Sequence, residues 1–195
     1  SSNLFDMTNK VALITGSSKG IGRAIAEEMA RQGAKVVISS RKADVCREVA
    51  DAINAEAKAS GNETGEAIVI PAHVGQRDAL QHLVDETRAR LCQIDVLVCN
   101  AAVNPFYGSM QELPDDAMDK ILDININSNP WLVNMVLPEM IERNDGSVII
   151  VSSVGGLRGS PVLGAYCISK AADLQLVRNL AVEHGEHNVR VNAIS

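Results

Sequence analysis

Six short runs of apolar and β-branched residues punctuate the chain, at 11–15, 35–40, 67–71, 95–99, 147–152 and 189–194. Between them lie longer stretches whose apolar residues recur at helical spacing. Runs such as VALIT, KVVIS and SVIIV lack the polar alternation of a half-exposed strand, which predicts helices over both faces of the sheet they form. Strands covered on both faces belong to a parallel sheet, and each gap between runs has room for one right-handed crossover helix. The pattern therefore predicts a doubly wound α/β fold, in one domain spanning residues 1–195. Two long helices are expected over 115–142 and 164–184, and the Ala-rich stretch 50–59 reads as a surface helix of strong helix formers.

Composition narrows the possibilities. With 195 residues, 46% hydrophobic and 22% charged, the chain is long and apolar enough for an ordinary buried core, which excludes disorder and coiled coil. The net charge of −6 and the scattered basic residues lack the footprint of a nucleic-acid binder. No apolar run reaches the length of a membrane span, and residues 1–7 show no basic region followed by an apolar one. Cys46, Cys92, Cys99 and Cys167 are widely spaced without a CxxC pair, so reduced thiols and a cytoplasmic location are expected. His184 and His187 have no third ligand in view, and no metal site is expected.

Chemistry enters after the first run, at Thr15-Gly16-Ser17-Ser18-Lys19-Gly20-Ile21-Gly22, followed by a helical pattern that ends at Gly33. Glycines there let a strand turn sharply into a helix and let backbone approach a pyrophosphate, whose charge suits the free N–H groups of that helix start. A plain βα turn is the bland alternative, but a strand before, a helix after and a second strand at the right distance favour a Rossmann-type nucleotide site. After the second run, an NAD site would normally offer a carboxylate to the adenosine ribose; Ser40 and Arg41 stand there instead. Arg41, Lys19 and the Ser40 hydroxyl are suitable donors to a 2′-phosphate, so NADP is the expected cofactor. The alternative for Arg41 is a solvated residue at a helix start.

A second group is Ser153, Tyr166 and Lys170. Tyr166 and Lys170 are four apart, so on a helix they share a face, while Ser153 follows the fifth run at the carboxyl edge of the sheet. Here the chain resembles the short-chain dehydrogenase/reductase family: TGSSKGIG, the NAA at residues 100–102, Asn125 within DININ, Ser153, YxxxK and the final RVNAIS occur in that family's order. The resemblance implies Tyr166 as proton donor to a carbonyl, Lys170 as the cation that lowers its pKa and binds the nicotinamide ribose, Ser153 as holder of the substrate oxygen, and Asn125 as support for a proton relay. It also implies cofactor contacts from Gly16, Ser18, Lys19, Gly20, Ile21, Gly22, Ser40, Arg41, Val74, Asn100 and Ala101, besides Tyr166 and Lys170. Two departures stand out: Ala102 where the family usually has glycine, and His73-Val74 where it has Asp-Val. Together with VNPFYG they resemble the NADPH-dependent carbonyl and retinal reductase branch. The implied activity is hydride transfer between NADP and a ketone or aldehyde, with a 3-oxoacyl reductase or a non-catalytic nucleotide-binding relative as alternatives.

The family continues beyond RVNAIS with a substrate lid and a seventh strand, so the chain is expected to be incomplete at that end. The long helices carry apolar residues beyond what one face of a sheet covers: Ala165, Ala172, Leu176 and Leu180 in one, and Leu132, Val136 and Met140, widened by Trp131, in the other. Two-fold association would bury that surplus, and the family pairs these helices across a dimer axis. A homodimer or homotetramer is expected.

Overall fold

β1 (Val11–Thr15) is buried along its whole length, and the sheet extends from it in both directions. The computed structural model describes residues 4–195; residues 1–3, part of the stretch 1–7 read above, lie outside the described residues. β2 (Lys35–Ser39) and β3 (Glu66–Val69) flank β1 on one side, and β4 (Val96–Cys99), β5 (Gly146–Val151) and β6 (Val189–Ile194) on the other. All neighbours pair in parallel, in the order β3-β2-β1-β4-β5-β6. Leu13 stands opposite Val37 on one side and Leu97 on the other. The order reverses between β1 and β4, and ligands of such sheets bind beyond the strand ends at this switch point.

The period-two alternation of each strand sorts the core into two layers. Ala12, Ile14, Val36, Ile38 and Val98 pack under α1 (Gly20–Arg31) and α2 (Ala43–Ser60). Leu13, Val37, Leu97, Val148 and Ile150 pack under α3 (Arg77–Leu91), α5 (Ser128–Arg143) and α6 (Gly164–His184). The Ala-rich stretch forms part of α2 and sends Ala50, Ile53 and Ala57 inward. No helix among the described residues is long and apolar enough to cross a membrane.

Three expectations need correction. SVIIV is covered fully on one face only: in β5 the residues alternate between buried and half-buried, with Ile149 and Val151 at the margin of the core layer under α1 and α2. The helix expected over 115–142 is α4 (Asp115–Ile121), a π-helical turn (Leu122–Asn127) and α5 in succession. The apolar stripe of α5 is no surplus: Leu132, Val136 and Met140 are at most 2% exposed and belong to the chain's own core, with Trp131 and Leu176 packed against it. The argument for an oligomer from that stripe falls.

Candidate active site

At the nucleotide end the turn after β1 is fixed by backbone and by Asn100. Gly16 takes φ +64°, where a side chain would be strained. Gly22 sits so close beneath it that a Cβ would lie 2.4 Å from the Gly16 carbonyl oxygen. Asn100, just past β4, donates from Nδ2 to the carbonyls of Thr15 and Gly16, both at 3.1 Å. The Thr15 hydroxyl oxygen in turn accepts from the Asn100 and Ala101 amides at 3.0 and 3.1 Å. Buried Ser17 ties the turn to β2, donating to Ile14 O and accepting from Ser39 N, each at 2.8 Å. Thr15 and Ser17 were missed in the sequence because hydroxyls beside glycines read as turn chemistry.

Around this frame the cofactor candidates divide. Ser18 is half-buried, Gly20 opens α1 at φ +56°, and Ile21 is exposed. α1 starts at Lys19 with no side-chain cap and no acid in its first turn, leaving its N–H groups and positive dipole end free for an anion. Lys19 and Arg41 are exposed, and among the described residues no ion pair engages either side chain. The Ser40 hydroxyl lies 3.1 Å from Cys46 Sγ. Val74 packs against the core beyond β3, and the neighbouring His73 accepts the Gly75 amide on Nδ1 at 3.1 Å. A turn at Gly16 and Gly22 with no room for a Cβ, an uncapped helix start and two uncommitted cations fit the phosphates of a dinucleotide.

The chemical end is a buried polar network. Lys170, 3% exposed, reaches from α6 to donate to Val151 O at 2.8 Å and to Asp173 Oδ2 at 3.2 Å. Its ammonium stands 5.7 Å from the centre of the Tyr166 ring. Asp173 Oδ1 accepts from Asn129 Nδ2 at 2.8 Å. Burial pushes the Asp173 carboxyl above the usual carboxylate range, against the opposing pull of Lys170 and the Asn129 amide.

Asn125 lies in the π turn, its side chain accepting from Val103 N and donating to Val103 O, both at 2.8 Å, and to Ser169 Oγ at 3.1 Å. Ser169 then donates to Tyr166 O at 2.7 Å. Ser153 accepts the Gly155 amide at 3.1 Å at the start of a short 3-10 turn (Val154–Gly156). That turn packs so tightly on α6 that a Cβ on Gly156 would lie 2.7 Å from Lys170 O. Beneath the site, burial pushes the Cys99 thiol up to about 12, with Asp173 adding to the effect, so the thiol stays protonated and unreactive. The structure thus draws Asn125, Tyr166 and Lys170 into one network with Ser153 on the adjoining turn. The residue overlooked was Asp173, whose signal was a carboxylate three positions after a lysine on an apolar helix.

A model of the short chain dehydrogenase family matches residues 10–195. The chain belongs to that family. It is 42% identical over 189 residues to bovine "Dehydrogenase/reductase SDR family member 4", covering 97% of this chain and 65% of that protein. The human protein of the same name is 40% identical, with 97% of this chain and 66% of its own length aligned. The chain thus spans about two thirds of the length of these curated relatives. Among solved structures, a short-chain dehydrogenase/reductase from Mycobacterium marinum superposes with a TM-score of 0.90 at 33% identity, over 98% of this chain and 76% of that one. A 7α-hydroxysteroid dehydrogenase, solved with NADH and 7-oxo glycochenodeoxycholic acid, gives 0.90 at 31% identity, over 98% and 71%.

Proposed function

We propose that this chain belongs to an NADP-dependent reductase of ketones or aldehydes, with Tyr166 as the acid and base. The observation that carries the reading is the placement of a buried cation, Lys170, beside the Tyr166 ring, with Ser153 on the turn packed against the same helix. When bound, the nicotinamide supplies or accepts the hydride. The residues that would hold the cofactor are Gly16, Gly20 and Gly22 with the α1 N–H groups at the pyrophosphate, Lys19, Ser40 and Arg41 at the 2′-phosphate, and Asn100 and Ala101 beside the glycine turn.

The Ser153 hydroxyl orients the carbonyl oxygen, and Tyr166 Oη donates a proton to that oxygen as it becomes an alkoxide. Lys170 stabilises the phenolate left behind, and Asn125 fixes the helix turn that faces it. Tyr107, Met110, Val154 and Leu157 stand exposed on the loops near this edge, which suits an apolar carbonyl compound. The free thiols of all four cysteines are consistent with a reducing cytoplasm, and a homodimer or homotetramer is proposed from family likeness alone.

The test is NADPH consumption by the complete protein against diketones, aldehydes and 3-oxoacyl thioesters. Turnover of the simple carbonyls is expected, with Tyr166→Phe keeping NADPH binding and losing about 10²–10⁴-fold in rate. Binding without turnover on any member of the panel would instead point to a nucleotide-binding relative without catalysis.

A further inference from the structure

The reaction as read above uses Tyr166 and Lys170 and leaves Asp173 without a task. Yet Asp173 is 1% exposed, and both its oxygens are engaged, Oδ2 by the Lys170 ammonium at 3.2 Å and Oδ1 by Asn129 at 2.8 Å. Positions 166, 170 and 173 fall on one face of α6, and the ammonium stands 5.7 Å from the centre of the phenol ring and 3.2 Å from the carboxylate. A cation with an anion in hydrogen-bond contact acts at a distance more as a dipole than as a lone charge, and its field falls off faster.

No other charge competes in this dry region among the described residues. The Cys99 thiol is neutral, Asn125 and Asn129 carry no charge, and the turn at 154–156 has no titratable group. On the other elements packed against α6, Asp115, Asp116, Asp119, Lys120, Asp123, Glu186 and Arg190 are exposed to water, Glu139, Glu142 and Arg143 lie at the far end of α5 from Asn129, and His187 lies beyond the C-terminal end of α6.

We propose that Asp173 is a positioning residue: it holds the Lys170 ammonium and restrains its pull on the Tyr166 phenol, and so sets the pH at which the tyrosine becomes a base. This rests on the reading of Tyr166 as the acid and base, and its first test is independent of turnover. In the complete protein without cofactor, the tyrosinate absorbance near 295 nm that Tyr166→Phe abolishes reports this one phenol. Asp173→Asn and Asp173→Leu are expected to move its midpoint down by about one pH unit, and Asp173→Glu to restore it.

The rise of alcohol oxidation with pH should move by the same amount, giving about ten-fold faster oxidation on the acidic side. A midpoint that stays put would make Asp173 purely structural, and one that moves up would mean that it only keeps Lys170 charged; either overturns the proposal. If neither uncharged variant folds, the unsubstituted protein decides, because the Asp173 carboxyl carbon resonance must then shift as Tyr166 ionises. A carboxyl signal blind to that ionisation overturns it as well. An absorbance shift without any oxidoreductase activity would fault the assigned reaction and leave the role of Asp173 standing.

Discussion

The two ends of the candidate site deploy charge in opposite ways. At the nucleotide end the frame is backbone and neutral side chains, with Gly16, Gly22, Thr15 and Asn100 fixing a turn, while the cations Lys19 and Arg41 stand in water without protein partners among the described residues. At the chemical end the charges are the frame: Lys170 and Asp173 are buried and hydrogen-bonded to each other and to their surroundings. An exposed cation meets a ligand in high dielectric and is screened by salt, whereas a buried pair acts in low dielectric and is bound up with folding. Cofactor choice should therefore be easy to alter without loss of the fold, and the proposed acid–base group should not.

The largest expected effect contrasts lysines. Lys170→Met leaves the Asp173 charge buried and should cost about 3–5 kcal/mol, read as a large fall in Tm at neutral pH. The deficit should shrink on acidification, because a buried carboxyl whose pKa is raised in the folded state takes up a proton there more readily than in the unfolded chain. Lys19→Met should leave Tm within about two degrees. Equal losses from the two variants would break the comparison.

Next comes the cradle. In Gly22→Ala the new Cβ would meet backbone at the Gly16 carbonyl, which cannot move aside as a side chain can. A cost of about 1–3 kcal/mol in denaturant unfolding is expected, together with weakened dinucleotide binding by titration calorimetry.

A third, smaller effect concerns specificity. Arg41→Asp should weaken NADPH about ten-fold, equivalent to about 1.4 kcal/mol, while sparing NADH, and the difference between the two cofactors should narrow as salt is raised. NADH bound as tightly as NADPH by the unsubstituted protein would remove the premise.

The smallest effect lies on a surface pair. Asp145, bonded to Arg190 and Lys10, has its carboxyl held below the usual range chiefly by Arg190. A lowered folded-state value contributes stability that is present above the unfolded value near 4 and lost as pH falls through the folded one. Asp145→Asn should flatten the fall of Tm as the pH drops below about 4, and only slightly, since both partners are solvated.

Much of the frame was legible because strands and amphipathic helices announce themselves by period. The expected strands and the helix 164–184 coincide with β1 to β6 and α6 to within two residues. The run 67–71 overshot β3 by two residues, although Ile70 and Ala72 still donate to Ile38 O and Ser40 O of the neighbouring strand's end at 3.2 and 3.1 Å. What period cannot show is partnership between residues distant in sequence. Asn100 is linked to Gly16 across 84 positions and Asn129 to Asp173 across 44. The apolar residues of α5 looked like surplus for the same reason: a stripe in sequence does not say which surface covers it. Likewise SVIIV is apolar along its length although its outward residues are only half-buried.

The π turn at Leu122–Asn127 also constrains how this segment can change. Each residue added to or removed from a helix turns everything beyond it by about 100°. A one-residue deletion that relaxed the turn to a plain α-helix would swing Asn125 away from Val103 and Ser169, or else rotate Leu132, Val136 and Met140 off the core that buries them. Both sets of contacts hold only at the present count. Substitutions within the turn can be tolerated one side chain at a time, whereas a change in its length has no partial form.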